Sequence, residues 1–309
     1  MMISIAMATY NGEKYLCEQI DSILAQDYQD FELIVCDDCS KDATWEILQK
    51  YAAKDNRIHI YQNKENAGLV KNFERAISLC KGDYVALSDQ DDIWHPDHLD
   101  VLFTNIGDNI ACSADAILLE NGVLTEKLST RNKVNYKQID TQDKILKRIL
   151  YGGNPTQGAA MLMNSNKLNE ILPLPSVTFH DVWIALCACI HNRLLIVDKP
   201  VLQYRRHENT LTKHEKHSQW YFIRHLNLNK YKAGGSDRLL YINNLLLRFP
   251  EMDEGQRVIL LQAKRYFENV HNRWFRIKNV TFWIKLYPYL FPGQSRKFLL
   301  LKLIRFLIL

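Results

Sequence analysis

The chain has 309 residues, 47% hydrophobic and 24% charged, which excludes a disordered polymer, a collagen-like fibre and a disulfide-framed miniprotein. Its net charge of +4 conceals an asymmetry. Residues 1–205 carry 20 Lys and Arg against 28 Asp and Glu, and residues 206–309 carry 19 against 7, so an acidic front joins a basic rear expected to face something anionic.

From the N-terminus, strand and helix patterns alternate. Met2 to Ala8 reads as a buried strand that enters directly after Met1, without the basic leader of a signal peptide. A turn at Asn11-Gly12 follows, then a helix with Leu16, Ile20, Ile23 and Leu24 on one face and Asn11 as its expected N-cap. Phe31 to Cys36 is a second strand, ending at Asp37-Asp38. Ser40 and Asp42 open a helix through about Tyr51. Ile58 to Tyr61 is a short third strand, and Leu69, Phe73, Ala76, Ile77 and Cys80 form the next helical stripe. Tyr84 to Leu87 is a fourth strand that runs into Ser88-Asp89-Gln90-Asp91-Asp92-Ile93-Trp94.

Strands separated by helices of this length predict right-handed crossovers and a mainly parallel sheet, with ligands at the carboxyl ends of the strands. Three polar clusters fall at three such ends: Thr9-Tyr10-Asn11, Asp37-Asp38 and Asp89-Gln90-Asp91. Asp89 and Asp91 sit two apart, so extended backbone sends both side chains to one face. Paired carboxylates of this kind repel unless a cation lies beside them, and hard oxygen ligands suit Mg²⁺ or Mn²⁺ completed by a substrate phosphate. Alone, such a pair is better explained by a solvated acidic turn.

Beyond Pro96, the expected first residue of a helix carrying Leu99, Leu102, Phe103 and Ile106, the pattern becomes more β-like. Ala111–Leu119 and Val123–Leu128 bracket a hairpin turn at Glu120-Asn121-Gly122. Residues 129–142 read as a polar loop over a cleft. Gly152-Gly153-Asn154 opens a glycine-rich turn before a strand at Ala159 to Met163. His180-Asp181-Val182-Trp183 then opens an apolar helix to about Ile190. Two short strands, Leu194–Val197 and Val201–Tyr204, precede Arg205-Arg206-His207.

From Lys216 the sequence is helical, basic and aromatic, with Trp220, Tyr221, Phe222, Trp274, Trp283 and Phe291 among its rings. Lys297 to Leu309 is apolar except for Lys302 and Arg305, too short to span a bilayer, which takes about 20 apolar residues. A helix in the headgroup plane, its cations toward anionic lipid, is the expected arrangement. The alternative is a helix packed on its own domain or on another subunit. The seven cysteines, odd in number and irregular in spacing, read as reduced thiols of a cytosolic protein. Cys36 and Cys39 enclose two aspartates that oppose a thiolate, so no redox role is assigned.

Four motifs in order, Thr9-Tyr10-Asn11-Gly12, Asp37-Asp38-Cys39-Ser40, Asp89-Gln90-Asp91-Asp92 and His180-Asp181-Val182-Trp183, make residues 2–207 resemble a family-2 glycosyltransferase of the GT-A fold. With Tyr204-Arg205-Arg206-His207-Glu208-Asn209, the chain looks most like bacterial rhamnosyltransferases of surface-polysaccharide assembly. The resemblance implies a Rossmann-like α/β domain at 1–207, here followed by the basic helical region at 208–309. It also implies an inverting transfer from a nucleotide-sugar to a saccharide acceptor.

By the same resemblance, Thr9, Tyr10 and Asn11 lie at the nucleotide, Tyr10 offering a ring face for stacking, and Asp38 matches the acid that reads the base. Asn66, Gly68 and Asn72 resemble a donor-binding segment. Asp89 matches the residue near the ribose, with Gln90 beside it, and Asp91 matches the direct ligand of a Mg²⁺ or Mn²⁺ ion. Arg205, Arg206 and His207 are expected at the diphosphate or the metal, a surface basic cluster that starts the positive region being an equal alternative. Asp181 matches the general base, with His180 where many relatives carry Glu. Asp92, Trp94, Gly153 and Trp183 are expected on the sugar or acceptor side, although a buried tryptophan at 94 and at 183 is nearly as well supported.

The first donor reading is dTDP-L-rhamnose; UDP-hexose or UDP-N-acetylhexosamine is the alternative. The acceptor is expected to be lipid-linked, the partner surface an anionic membrane rather than nucleic acid, and the location peripheral on the cytoplasmic face. A nucleotidyltransferase is disfavoured because no early glycine-rich basic phosphate loop is present. A non-catalytic lipid- or nucleic-acid-binding protein is disfavoured by the intact acidic set.

Overall fold

A computed structural model describes residues 1–208, 228–270, 273–290 and the single positions 300 and 303. The sheet is built around β1 (Ile3–Thr9), every residue of which is buried. Its larger side chains, Ile3, Ile5 and Met7, join one apolar cluster, and Ala6 and Ala8 join the other. Both faces are therefore covered, which is why the run shows no polar alternation. β2 (Phe31–Asp37) and β4 (Tyr84–Ser88) flank β1 in parallel, and β3 (Ile58–Gln62) adds to β2. Thr9 stands opposite Asp37, and Met7 opposite Ser88, so the three polar clusters emerge side by side. The crossovers are α1 (Leu16–Leu24), α2 (Thr44–Ala52) and α3 (Leu69–Leu79).

The sheet continues in mixed orientation, in the order β3-β2-β1-β4-β8-β6-β9-β5 with β7 on β6. β8 (Met161–Asn164) runs antiparallel between β4 and β6 (Ala111–Glu120). β9 (Leu194–Arg206) is parallel to β6, while β5 (Ile93–Trp94) and β7 (Val123–Lys127) pair antiparallel. The expected short strands near 194 and 201 are one strand whose register shifts beside Asp115. Residues 129–142 are not a plain loop. α5 (Leu128–Arg131) and a 3₁₀ turn at Tyr136–Gln138 occupy them, and Asp115 anchors the start through bonds from Ser129 N at 3.1 Å and Ser129 Oγ at 2.5 Å.

Two expected helix starts also move. α4 is His98–Ile106, two residues beyond Pro96. α1 begins at Leu16 and has no side-chain cap. Asn11, at φ +48°, instead accepts from Lys41 N at 2.8 Å, joining two loops.

α6 (Gln142–Lys147), a π-turn at Arg148–Gly152 and α7 (His180–Ile190) cover one face of the sheet. The described C-terminal helices are α8 (Leu228–Arg248), α9 (Glu254–Asn269), α10 (Arg273–Lys278) and α11 (Val280–Leu290). Ile242, Leu245, Leu260, Tyr266 and Trp283 belong to the same apolar cluster as Trp183, Leu186 and Tyr151. The basic rear thus shares a core with the front. At about 25 cal/mol per Å² of apolar surface removed from water, that shared burial is a main term holding the helices in place. The Lys297–Leu309 segment, apart from Leu300 and Leu303, lies outside the described residues, as do Trp220, Tyr221, Phe222, Phe291 and Asn209. Among the described residues no helix is long and apolar enough to cross a membrane.

Candidate active site

The site opens at the carboxyl ends of β1, β2 and β4. Tyr10 is 45% exposed, and its backbone is held at two points by one side chain. Gln90 Oε1 accepts from Tyr10 N at 2.9 Å, and Gln90 Nε2 donates to Tyr10 O at 3.1 Å. Gly12 makes room for this amide, because a Cβ there would lie 2.3 Å from Gln90 Oε1. Gln90 therefore fixes the β1 loop against the acidic turn and leaves the Tyr10 side chain exposed.

Asp38 is buried beneath this rim. Its Oδ1 accepts from Ala67 N at 2.8 Å and Asn63 Nδ2 at 2.6 Å, and its Oδ2 from Gly68 N at 2.8 Å. The carboxylate thereby sits at the positive end of α3, where a negative charge is favoured. Gly68 takes φ +85°, a left-handed conformation that glycine adopts without penalty. Asn66 is exposed, with Nδ2 at 3.4 Å from Asp38 O.

Two residues expected at the nucleotide turn inward instead. Asn72 is 1% exposed and donates to Cys36 O at 2.7 Å while accepting from Asn63 Nδ2 at 2.9 Å. Thr9 is 1% exposed, its hydroxyl 3.2 Å from Asp37 Oδ1. Both brace the floor from below, and Thr9 O accepts the Asp38 N–H at 2.8 Å.

In the turn after β4 the acids separate. Asp91 Oδ2 lies 2.7 Å from His207 Nε2, and the His207 ring packs on Tyr15 with centroids 4.9 Å apart. The Asp89 carboxyl is pushed up to about 7, first by burial and then by the negative charges of Asp91 and Asp181. Asp92 is fully buried rather than on the sugar side. Its Oδ1 accepts from Arg205 N at 2.9 Å, and burial together with Asp91 and Asp89 raises its carboxyl well above the usual range.

Arg205, expected at the diphosphate, is committed to the protein. It donates through Nε to Asp91 O at 2.9 Å, pairs with Glu18 and stacks over Tyr15 at 4.5 Å. It locks the acidic turn. Glu18 and Tyr15 carried no sequence signal for this role, because their partners lie almost 190 residues away in the chain.

Across the cleft, Asp181 occupies the first turn of α7. Asn154 Nδ2 donates to Asp181 Oδ2 at 3.0 Å, and Val182 N to Oδ1 at 2.8 Å. Thr156 donates from both N and Oγ1 to Asn154 Oδ1, at 3.2 and 2.8 Å, which fixes the amide so that its NH₂ faces the aspartate. A Cβ at Gly158 would lie 3.2 Å from Asp181 Cβ and 3.1 Å from His180 Nε2. His180 is buried and stacked on Phe73 at 3.9 Å, and burial lowers its pKa. Gly153 turns at φ +102° beside Asn154.

The two tryptophans expected as cleft walls belong to the core. Trp94 is 3% exposed and stacks on His98 at 3.7 Å. Trp183 is 2% exposed and donates to Ile171 O at 2.9 Å.

No three His, Cys, Asp or Glu side chains converge as a ready metal cage among the described residues. The donor set nevertheless fits a hard cation. Asp91 and His207 could offer one oxygen and one nitrogen, their Oδ2 and Nε2 lying 2.7 Å apart. Mg²⁺ and Mn²⁺ commonly take a small protein ligand set completed by phosphate and water.

Residues 4–170 match the family model for glycosyl transferase family 2. The chain belongs to glycosyltransferase family 2. It is therefore a glycosyltransferase of the inverting class. Over 99 residues it is 43% identical to a putative glycosyltransferase, EpsE, of Bacillus subtilis, covering 32% of this chain and 36% of that protein. It is 25% identical to an uncharacterized glycosyltransferase of Haemophilus influenzae across 98% of this chain and 97% of the relative. The Escherichia coli enzyme WfaP, a UDP-Glc:alpha-D-GlcNAc-diphosphoundecaprenol beta-1,3-glucosyltransferase, is 38% identical over 30% of this chain and 36% of its own. The matches to EpsE and WfaP thus span only about a third of those relatives.

Among solved structures, S. aureus TarS 1–349 in complex with UDP-GlcNAc superposes with TM-score 0.56 at 18% identity, covering 88% of this chain and 92% of that one. Mannosyltransferase PcManGT of Pyrobaculum calidifontis, in complex with GDP-Man and Mn²⁺, gives 0.60 at 16%, covering 97% and 78%. These likenesses carry the GT-A fold, as expected.

Proposed function

We propose that this enzyme transfers a sugar from a pyrimidine nucleotide-sugar to a lipid-linked saccharide in bacterial surface-polysaccharide synthesis. The observation that carries the reading is the placement of three polar clusters side by side at the carboxyl ends of β1, β2 and β4, with Asp91 Oδ2 2.7 Å from His207 Nε2.

In this reading Tyr10 stacks on the base, and the 63–68 loop, held in place by the buried Asp38 carboxylate, reads its edge with Asn66 at the rim. Asp89 lies toward the ribose, and Gln90 holds the nucleotide loop in register. Asp91 and His207 would hold a Mg²⁺ or Mn²⁺ ion, which when bound supplies charge neutralisation for the departing diphosphate. Asp181 takes the proton of the acceptor hydroxyl as that oxygen attacks the anomeric carbon from the face opposite the leaving group, which inverts the centre. Asn154 and Val182 N aim the carboxylate. Gly153 lets the backbone approach the acceptor.

For the donor, the Ser88-to-Trp94 resemblance favours dTDP-L-rhamnose. The names of WfaP and of the TarS complex favour a second reading, UDP-glucose or UDP-GlcNAc. Thermal-shift titration with dTDP-rhamnose, UDP-glucose and UDP-GlcNAc in Mn²⁺ separates them. Stabilisation by UDP-sugars alone removes rhamnose, and stabilisation by none of the three removes the pyrimidine reading. The acceptor reading places the enzyme at the cytoplasmic membrane face, with residues 1–207 as the catalytic unit and 208–309 as its membrane-associating part.

A further inference from the structure

From Asn269 to Leu309 the sequence holds eight Lys and Arg residues and no Asp or Glu. Within the described part, exposure follows a helical repeat. Trp274, Ile277, Lys278, Thr281, Ile284 and Lys285 are exposed, while Arg276 and Trp283 between them and Leu286 and Tyr287 just after are buried. Spacings of three and four residues put the exposed set along one face of α10 and α11. Trp274 is 73% exposed, Ile277 44% and Ile284 43%. The face therefore presents three large apolar side chains interleaved with Lys278 and Lys285.

We infer that this face docks on the surface of an anionic lipid bilayer. Lipid is the occupant that uses both components: apolar side chains enter the acyl boundary while lysines reach headgroup phosphates. A nucleic acid would engage the cations and leave Ile277 and Ile284 without a partner of their own polarity.

The face is also fastened to the catalytic loop. Arg148 Nη1 lies 3.4 Å from Tyr289 O at the end of α11. A Cβ on Gly152 would fall 1.6 Å from that same carbonyl, so the helix end is pressed onto the loop two residues before Asn154. Tyr151 packs against Phe267 and Phe282 at 5.9 and 6.4 Å. Docking α10–α11 on a bilayer would therefore tie the loop that leads into Asn154 to the membrane-bound helices. This use of the surface rests on the reading of a lipid-linked acceptor; the docking itself does not.

The test is sedimentation of the full-length chain with phosphatidylcholine vesicles and with phosphatidylcholine–phosphatidylglycerol vesicles. Binding is expected only to the second, weakening with salt. Lys278→Ala with Lys285→Ala should weaken it roughly 25-fold, at about 1 kcal/mol per lysine. Trp274→Ser with Ile284→Ser should weaken it further, and Val123→Ser on β7 should not change it. In the unaltered chain, brominated lipid should quench tryptophan emission, and Trp274→Phe should remove most of that quenching. Unchanged vesicle binding in both double variants, or equal salt-sensitive retention on duplex DNA, overturns the inference. Transfer to a water-soluble acceptor, measured alongside, keeps the outcomes apart. Lost docking with intact transfer supports the surface, whereas intact docking without transfer from any pyrimidine nucleotide-sugar counts against the functional reading alone.

Discussion

Asn154 Nδ2 donates to Asp181 Oδ2 at 3.0 Å, and the amide can face no other way because Thr156 holds its oxygen from two sides. The proposed base is thus aimed by a residue that need not touch substrate. Asp181→Asn should lower kcat by about 10²–10⁴-fold, the usual range for a general base. Asn154→Ala should lower kcat by about ten- to hundredfold with donor KM unchanged, since one hydrogen bond to a charged group is lost. A change confined to donor KM in either variant would remove the assignment.

The proposed Asp91–His207 metal site makes transfer dependent on a divalent ion. Excess chelator should abolish transfer and added Mn²⁺ should restore it. His207→Ala should raise the Mn²⁺ concentration for half-maximal rate at saturating donor, and Asp91→Ala should leave little activity at any Mn²⁺ concentration. Full activity in chelator would exclude the ion from the reaction.

Acid sensitivity should arise partly at His98. Burial drives its pKa from 6.5 down to about 3, and it holds Val201 O at 3.1 Å while stacked on Trp94. Between those values the unfolded chain binds a proton that the folded chain refuses. This contribution is present in full above pH 6.5 and is lost as the pH falls below it. His98→Phe keeps a ring on Trp94 and removes the titration. It should cost about 1 kcal/mol near neutrality through the lost hydrogen bond, yet show a shallower fall in melting temperature from pH 6.5 to 4.5. An unchanged slope would assign acid sensitivity elsewhere.

Gly152→Ala drives a methyl group into the Tyr289 carbonyl. Overpacking against backbone should destabilise the fold by about 1–3 kcal/mol, read by denaturant midpoint, and should lower kcat through the neighbouring Asn154. Gly107→Ala, at φ +49° with open space around its Cβ position, should cost stability without touching kcat.

The parallel half of the fold was legible because buried strands and one-faced helices alternate, and because polar clusters end three of the strands. The motifs fall at the carboxyl ends of neighbouring strands. What the sequence could not convey was the direction of individual side chains. Thr9, Asn72 and Arg205 sit at the expected places but spend their polar atoms on Asp37, Cys36 O and the Asp91–Asp92 turn. Those partners exist only once β1, β2 and β9 are assembled. Trp94 and Trp183 show the same limit, since an aromatic beside a motif can close either a cleft or a core. Glu18 and Tyr15 went unread because nothing local marks a residue whose partner is Arg205. The strand at 194–206 reads as two because Asp198-Lys199-Pro200 interrupts its apolar run, where its register on β6 shifts.

The two-point hold of Gln90 on the Tyr10 backbone joins the loop that would choose the nucleotide to the turn that would carry the metal. Attempts to re-engineer the donor preference at Tyr10 alone should therefore yield enzymes whose metal requirement drifts together with their sugar preference. Libraries that vary positions 10, 12 and 90 as one block, keeping Gly12 small enough for the amide, are the more promising route to a new donor.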